Sequence, residues 1–254
     1  MDIKMNYIEK GDGKPLLLIH GNEDRCEYFT PQLDYFSKRG YHCIAPDSRG
    51  HGKTPRGGGK LTIRRMARDF VDLMDELKME QADIIGFSDG GNIALIMGMK
   101  YPERIQHLVV YGANLDPSGV KPSVNEWIEQ EYSRTLAEAK HDARAKLRLE
   151  ILNLMINDPN IEVSQLQRIT APTLVLAGTD DMILPEHTEL IASKIPNAEL
   201  QFIRGTHFCS SENPGDFNRA VEKFLEKKPD ANPPEEKSGR KVRKKPDANP
   251  SEEK

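Results

Sequence analysis

Ser88 sits in Gly86-Phe87-Ser88-Asp89-Gly90, a serine with a glycine two residues away on either side. A serine hydroxyl becomes a useful nucleophile only when a base takes its proton and an acid orients that base. His207, in Gly205-Thr206-His207-Phe208, is the best base among seven histidines. His107 lies within a strand pattern, His42 begins one, and His20 ends a buried strand ahead of the nucleophile. His51, His141 and His187 lie in loop or helix settings without a partner motif. Asp181, in the run Gly178 to Pro185, is the best acid. Asp180 beside it and Asp116 further back are rivals, because aspartate is favoured wherever strands end. An acyl-transfer site also needs two backbone N–H groups aimed at the developing oxyanion. The N–H of Asp89 is one candidate. The N–H of Asn22, in His20-Gly21-Asn22, is the other. The Asp89 carboxylate either faces the pocket, where it would pair with a substrate ammonium group, or points away and supports the turn.

These residues need a scaffold that brings them to one edge. Leu16–Ile19 and His42–Ala45 are short apolar runs of the kind buried on both faces of a parallel sheet. Asp83–Gly86 is a third such run and leads straight into the Ser88 turn. Ile105–Tyr111, Thr173–Ala177 and Glu199–Ile203 complete the set. Between them, residues 62–78 carry an amphipathic helical stripe (Ile63, Met66, Ala67, Phe70, Val71, Met74, Leu77), and residues 90–100 are apolar nearly all round. A closing helix has Asn213 as its expected N-cap, Pro214 at its first position and a stripe through Phe217, Val221 and Phe224. Alternating strands and helices predict an α/β fold, a mostly parallel sheet covered on both faces. Residues 1–114 and 171–226 form this expected core. Residues 115–170 contain no clear strand and are expected to be a small helical lid over the carboxyl edge, where open α/β sheets bind ligands. Ser123-Val124-Asn125-Glu126 looks like a capping box at the start of one lid helix. A second helical stretch, Leu147–Ile156, stops at Asp158-Pro159. Trp127, the only tryptophan, lies in this segment and is a candidate for substrate contact.

Composition narrows the function classes. The chain has 254 residues, with 36 basic and 40 acidic groups. Residues 227–254 hold 9 basic and 6 acidic groups, so the rest is acidic, 27 against 34, which argues against a nucleic-acid surface. Lys227-Lys228-Pro229-Asp230-Ala231-Asn232-Pro233 recurs as Lys244-Lys245-Pro246-Asp247-Ala248-Asn249-Pro250. This tail has one large aliphatic residue, Val242, and is expected to be disordered. Cys26, Cys43 and Cys209 give no disulfide framework and no metal-binding spacing. No apolar run reaches the ~20 residues of a membrane span, and the N-terminus has no signal-peptide core. A cytoplasmic protein without metal, cofactor, membrane or nucleic-acid partner is expected.

Five elements in order resemble the α/β-hydrolase superfamily: Leu18-Ile19-His20-Gly21-Asn22, Asp47 to Thr54, Gly86-Phe87-Ser88-Asp89-Gly90-Gly91, Gly178 to Pro185, and Gly205-Thr206-His207. The chain order Ser88, Asp181, His207 is that superfamily's order. The resemblance implies that the aspartate four residues before Pro185, Asp181, is the acid, and that Asp47–Gly52 is structural. With Tyr111-Gly112-Ala113-Asn114, the nucleophile motif looks like the biphenyl-hydrolase-like, valacyclovirase type, which cleaves amino-acid esters. The resemblance implies a serine hydrolase of small esters, α-amino esters among them, or amides, acting through an acyl-Ser88 intermediate. Carbon–carbon bond hydrolysis or perhydrolysis on the same residues is the alternative chemistry. A catalytically silent binding protein using the lid or tail is the alternative of another class.

Overall fold

The apolar runs of the sequence become the strands of a single sheet. A computed structural model describes residues 2–227. The tail expected to be disordered lies outside the described residues, apart from Lys227, which pairs with Glu199. The strands are β1 (Tyr7–Lys10), β2 (Lys14–Ile19), β3 (Tyr41–Pro46), β4 (Ala82–Phe87), β5 (Ile105–Tyr111), β6 (Thr173–Asp180) and β7 (Ala198–Thr206). Their order across the sheet is β1-β3-β2-β4-β5-β6-β7. Only β1 runs antiparallel, against β3. The parallel pairs put the carboxyl ends of β2 and β4 side by side, with Ile19 opposite Gly86. Likewise Phe87 lies opposite Tyr111 on β5.

Side chains alternate across a strand, so each apolar run feeds two cores. Leu16 and Leu18 face one side, with Ile85, Val109 and Leu176. Leu17 and Ile19 face the other, with Ile84, Val110 and Val175. The first side is covered by α1 (Thr30–Phe36), through Leu33 and Phe36, and by the closing helix. The second is covered by α2 (Ile63–Glu76) and α3 (Asp89–Lys100). In α2 the stripe from Ile63 to Met74 is buried, as its spacing predicts, and Thr62 caps the helix by accepting the Arg65 N–H at 3.1 Å. Phe70 at its centre is fully buried, and Phe70→Ala would cost about 3–5 kcal/mol.

Between β5 and β6 the chain leaves the sheet for two helices, α4 (Pro122–Glu138) and α5 (Ala143–Asn157). The expected capping box does not form. Helix α4 starts at Pro122 with Lys121 at the N-cap and no side-chain cap. Its entry is set instead by proline at the first position and by the Lys121 N–H donating to Met182 O at 2.9 Å. Helix α5 ends directly before Asp158-Pro159, and the Asp158 carboxylate accepts the Ile63 N–H of α2 at 2.7 Å. After β6 come α6 (Pro185–Lys194), the single turn α7 (Cys209–Glu212) and the closing helix α8 (Pro214–Leu225). Asn213 occupies the N-cap position of α8, but its amide donates to Arg204 O at 2.7 Å rather than capping the helix. Among the described residues no helix is long and apolar enough to cross a membrane.

Candidate active site

Ser88 joins the end of β4 to the start of α3 with φ 54° and ψ −120°, a left-handed conformation uncommon outside glycine. The tight turn works because its neighbours lack side chains. A Cβ on Gly86 would lie 2.3 Å from Gly90 O, and one on Gly90 would lie 2.0 Å from Ile19 O. The Ser88 N–H donates to Tyr111 O at 2.8 Å, which fixes the turn to β5. The side chain is thereby lifted above the carboxyl edge of the sheet, at the N-terminus of a buried helix.

His207 and Asp181 follow β7 and β6. His207 Nδ1 lies 2.6 Å from Asp181 Oδ1, and both side chains are buried. Asp181 also accepts the N–H groups of Ile183 at 2.9 Å and Gly178 at 3.1 Å. Burial is the largest single influence on its carboxyl and pushes the pKa up. The His207 hydrogen bond and charge, with the two backbone donors, outweigh it and leave the pKa below its usual value. Asp180 is exposed and its nearest cation is Lys121, at 3.4 Å. Asp116 accepts from Ser118 N in its own turn. Neither is bonded to His207. The ring of His207 is tilted against Phe87 at 4.9 Å, and Phe87 is itself stacked between Tyr28 and Tyr111. The Tyr111 hydroxyl donates to His207 O. Gly112, at φ 61°, leaves room for the imidazole, since a Cβ there would lie 2.7 Å from His207 Cε1.

The loop after β2 closes against the serine. A Cβ on Gly21 would lie 3.0 Å from Ser88 Cβ. His20 holds the loop with both ring nitrogens. Nδ1 donates to Gly21 O at 2.8 Å, and Nε2 accepts the Ser48 N–H at 2.9 Å. Complete burial drives its pKa down to about 3, so the ring stays neutral and keeps both bonds. The backbone N–H groups of Asn22 and Asp89 make no hydrogen bond to the described residues. The Asn22 side chain is engaged. Its Nδ2 donates to Asp89 Oδ2 at 2.8 Å and to Ile151 O, on α5, at 3.0 Å.

Asp89 is buried, with its second oxygen 3.3 Å from Asn92 Nδ2. Asn92 in turn donates to Asn114 Oδ1 and accepts the Asn114 N–H. Burial is the chief reason its pKa rises to about 6; the charge of Asp158 adds to this and the Asn22 bond opposes it. Asn92 and Asn114 had no place in the sequence-based site. One signal was present: Asn92 is a polar side chain inside the otherwise apolar run Gly90–Met99. Trp127 is not gathered with these residues. It is half exposed on α4 and makes no hydrogen bond or ring contact with them.

The Asp47–Gly52 turn is built from buried polar groups. Arg49 is fully buried and grips Asp69 through two 2.6 Å bonds. Asp47 accepts from Cys26 N, Lys53 N and Asn6 Nδ2, each at 2.8 Å. Cys26, Glu27 and Asp47 are the group of metal-capable side chains found among the described residues. They suit a metal poorly. Burial, foremost, and then Glu27 push the Cys26 thiol above its usual range, and the Asp47 oxygens are already occupied by donors.

Comparison with known proteins agrees with this geometry. The family described as alpha/beta hydrolase fold matches residues 14–137. The mouse protein named serine hydrolase BPHL is 28% identical over 248 residues, covering 88% of this chain and 84% of its own. The 2-hydroxymuconate semialdehyde hydrolase of Pseudomonas putida is 28% identical over 254 residues, covering 87% of this chain and 90% of its own. The solved structure of the enol-lactonase from Burkholderia xenovorans LB400 superposes with a TM-score of 0.73 at 22% identity, covering 89% and 97% of the two chains. The chain therefore has the α/β-hydrolase fold.

Proposed function

We propose that the protein is a serine hydrolase of small-molecule esters or amides, with Ser88 as nucleophile, His207 as base and Asp181 as orienting acid. The observation that carries this reading is the 2.6 Å His207–Asp181 bond at the same sheet edge as the strained Ser88 turn. Ser88 Oγ attacks the substrate carbonyl carbon and passes its proton to His207 Nε2. Asp181 keeps the proton on Nδ1 in place and stabilises the imidazolium. The N–H groups of Asn22 and Asp89 hold the oxyanion. His207 then protonates the leaving alkoxide or amine as the C–O or C–N bond breaks, leaving acyl-Ser88. A water deprotonated by His207 attacks the acyl carbon, and Ser88 recovers its proton as the acid departs.

The buried Asp89 carboxylate, one residue from the nucleophile, favours α-amino esters. Asn22 and Asn92 hold it beside the serine, and a substrate ammonium group is a natural counterion for it. The relative named serine hydrolase supports the reaction type.

The test is a fluorophosphonate probe on wild type and Ser88→Ala, followed by an ester and amide panel. Labelling and ester turnover in wild type, both absent from Ser88→Ala, are expected. Equal labelling of the two proteins would overturn the reading. Cleavage of a diketone with none of any ester or amide would assign carbon–carbon bond hydrolysis instead.

A further inference from the structure

Glu23 follows Asn22 and has φ 55°, a left-handed conformation that a glutamate rarely adopts. It occupies a middle position of the turn closed by the Asp24 N–H and Gly21 O at 3.3 Å, beside Asn22. Its side chain does not hang free. Arg148 of α5 grips it with both arms, Nε to Oε1 at 2.6 Å and Nη2 to Oε2 at 3.3 Å. The same guanidinium reaches α4, bonding Glu131 Oε2 at 3.1 Å and the buried Thr135 Oγ1 at 3.1 Å. One residue earlier, the Asn22 side-chain amide donates to Ile151 O of the same helix α5. Two consecutive residues of the loop are therefore held by a single helix, and that helix is braced on α4 through the arginine that does the holding.

We infer that Arg148 is a positioning residue that, through Glu23, fixes the turn carrying the Asn22 N–H, so that docking of the α4–α5 pair completes the oxyanion site. This rests on the serine-hydrolase reading and deepens it. An ion pair whose side chains are both about one-third exposed adds little to fold stability. Its consequence is geometric. Arginine supplies a planar fork that fixes the carboxylate in two directions, which lysine does not. Fixing the Glu23 side chain restrains the strained backbone beside it, and the neighbouring amide is restrained with it. The oxyanion exists only in the transition state and the tetrahedral intermediate, so a loosened amide slows turnover and leaves ground-state binding nearly untouched.

The experiment compares wild type with Arg148→Met, Arg148→Lys, Glu23→Gln and Glu23→Gly in the full chain. Rates are taken on a p-nitrophenyl ester per site titrated by fluorophosphonate, so misfolded protein drops out. Arg148→Met and Glu23→Gln are expected to lower kcat about ten- to hundred-fold, the scale of a slightly misplaced group. KM should stay within about twofold, and Arg148→Lys should recover only part of the rate. Affinity for a trifluoromethyl ketone, which mimics the tetrahedral adduct, should fall by the same factor as kcat. Glu23→Gly is the decisive variant. Glycine accepts φ 55° readily, so a fall in kcat there shows that the clamp matters and not the bend alone. Unchanged kcat in Arg148→Met or Glu23→Gly, or a raised KM with kcat intact, overturns the inference. Amide hydrogen exchange at Asn22 and Glu23 should speed up in Arg148→Met. Unchanged exchange also overturns the inference, whatever the fate of Ser88. Absent probe labelling in wild type, with faster exchange in the variant, would fault only the serine-hydrolase reading.

Discussion

Two histidine–carboxylate pairs lie buried at opposite ends of the same sheet. Asp181 and His207 meet at 2.6 Å beyond the carboxyl ends of β6 and β7. Asp83 and His107 meet at 2.8 Å near the amino ends of β4 and β5. Both pairs are almost wholly buried, and in both the Nδ1 atom faces the carboxylate. Their surroundings differ. The first has the Ser88 turn beside it, with Phe87 against its imidazole and Gly112 clearing its ring. Among the described residues the second makes no hydrogen bond to a serine. Its imidazole packs edge-on against Phe224, and His107 Nε2 is buried without a hydrogen-bond partner among the described residues. A buried dyad is therefore a packing solution first. It acquires chemistry when the topology delivers a nucleophile and unpartnered amides to the same edge, as parallel α/β sheets do only at their carboxyl ends.

The comparison breaks most visibly at the bases. His207→Ala should lower kcat/KM on a reactive ester about 10⁵- to 10⁶-fold, while His107→Ala stays within about twofold per folded molecule. Similar losses in both would mean that the amino-edge pair takes part in the reaction. The acids come next. Asp181→Asn keeps the shape but frees the wrong tautomer, for an expected loss of about 10⁴-fold in kcat, against no change for Asp83→Asn.

Asp89 gives a smaller and more selective effect. Wild type should prefer an α-amino ester over its des-amino analogue by about ten- to hundred-fold, from one charge-assisted contact, and Asp89→Asn should erase that preference. The pH dependence has a definite sign. The carboxyl is raised to about 6 and an α-amino group loses its proton at about 8, so the preference should be greatest between those pH values and fade as pH falls through about 6. The same shift acts oppositely on stability. The folded state holds this proton more tightly than the unfolded chain, so the contribution of Asp89 to stability declines as pH rises from about 4 to about 6. A preference that persists at pH 4.5 would show that something other than Asp89 reads the amine. The smallest change in turnover belongs to Asp83→Ala. It strips His107 of its buried partner, so urea unfolding should register a loss of about 1–3 kcal/mol with kcat unaffected.

Much of this arrangement was legible in the chain, and the legible parts share a cause. Apolar runs with period-free burial marked the inner strands, and β5 runs from Ile105 to Tyr111 as the pattern predicts. The Ser88, Asp181 and His207 neighbourhoods could be read because strand ends and chain order are local properties. Contacts between distant segments could not. Asn22 and Asp89 are 67 residues apart, and nothing in either segment announces their bond. Arg148 and Glu23 are 125 apart and look like two ordinary surface charges. The start of α4 is set by such a distant contact too. A local Ser-x-x-Glu pattern lost to proline geometry and to a contact with Met182. The 7-residue helix α1 is too short for its apolar residues to repeat. The Asp83–His107 pair has no local signature, because each member lies within a strand and the two are 24 residues apart.

Trp127, finally, gives the molecule a private optical channel. It is the sole indole in the chain, and it is half exposed on α4, away from the sheet core that buries Phe70 and Tyr111. Light absorbed selectively by indole is therefore re-emitted from the α4–α5 pair alone. Its colour and its quenching by a dissolved collider follow that pair lifting or settling, while the tyrosines of the core keep a separate record of whether the sheet itself is intact.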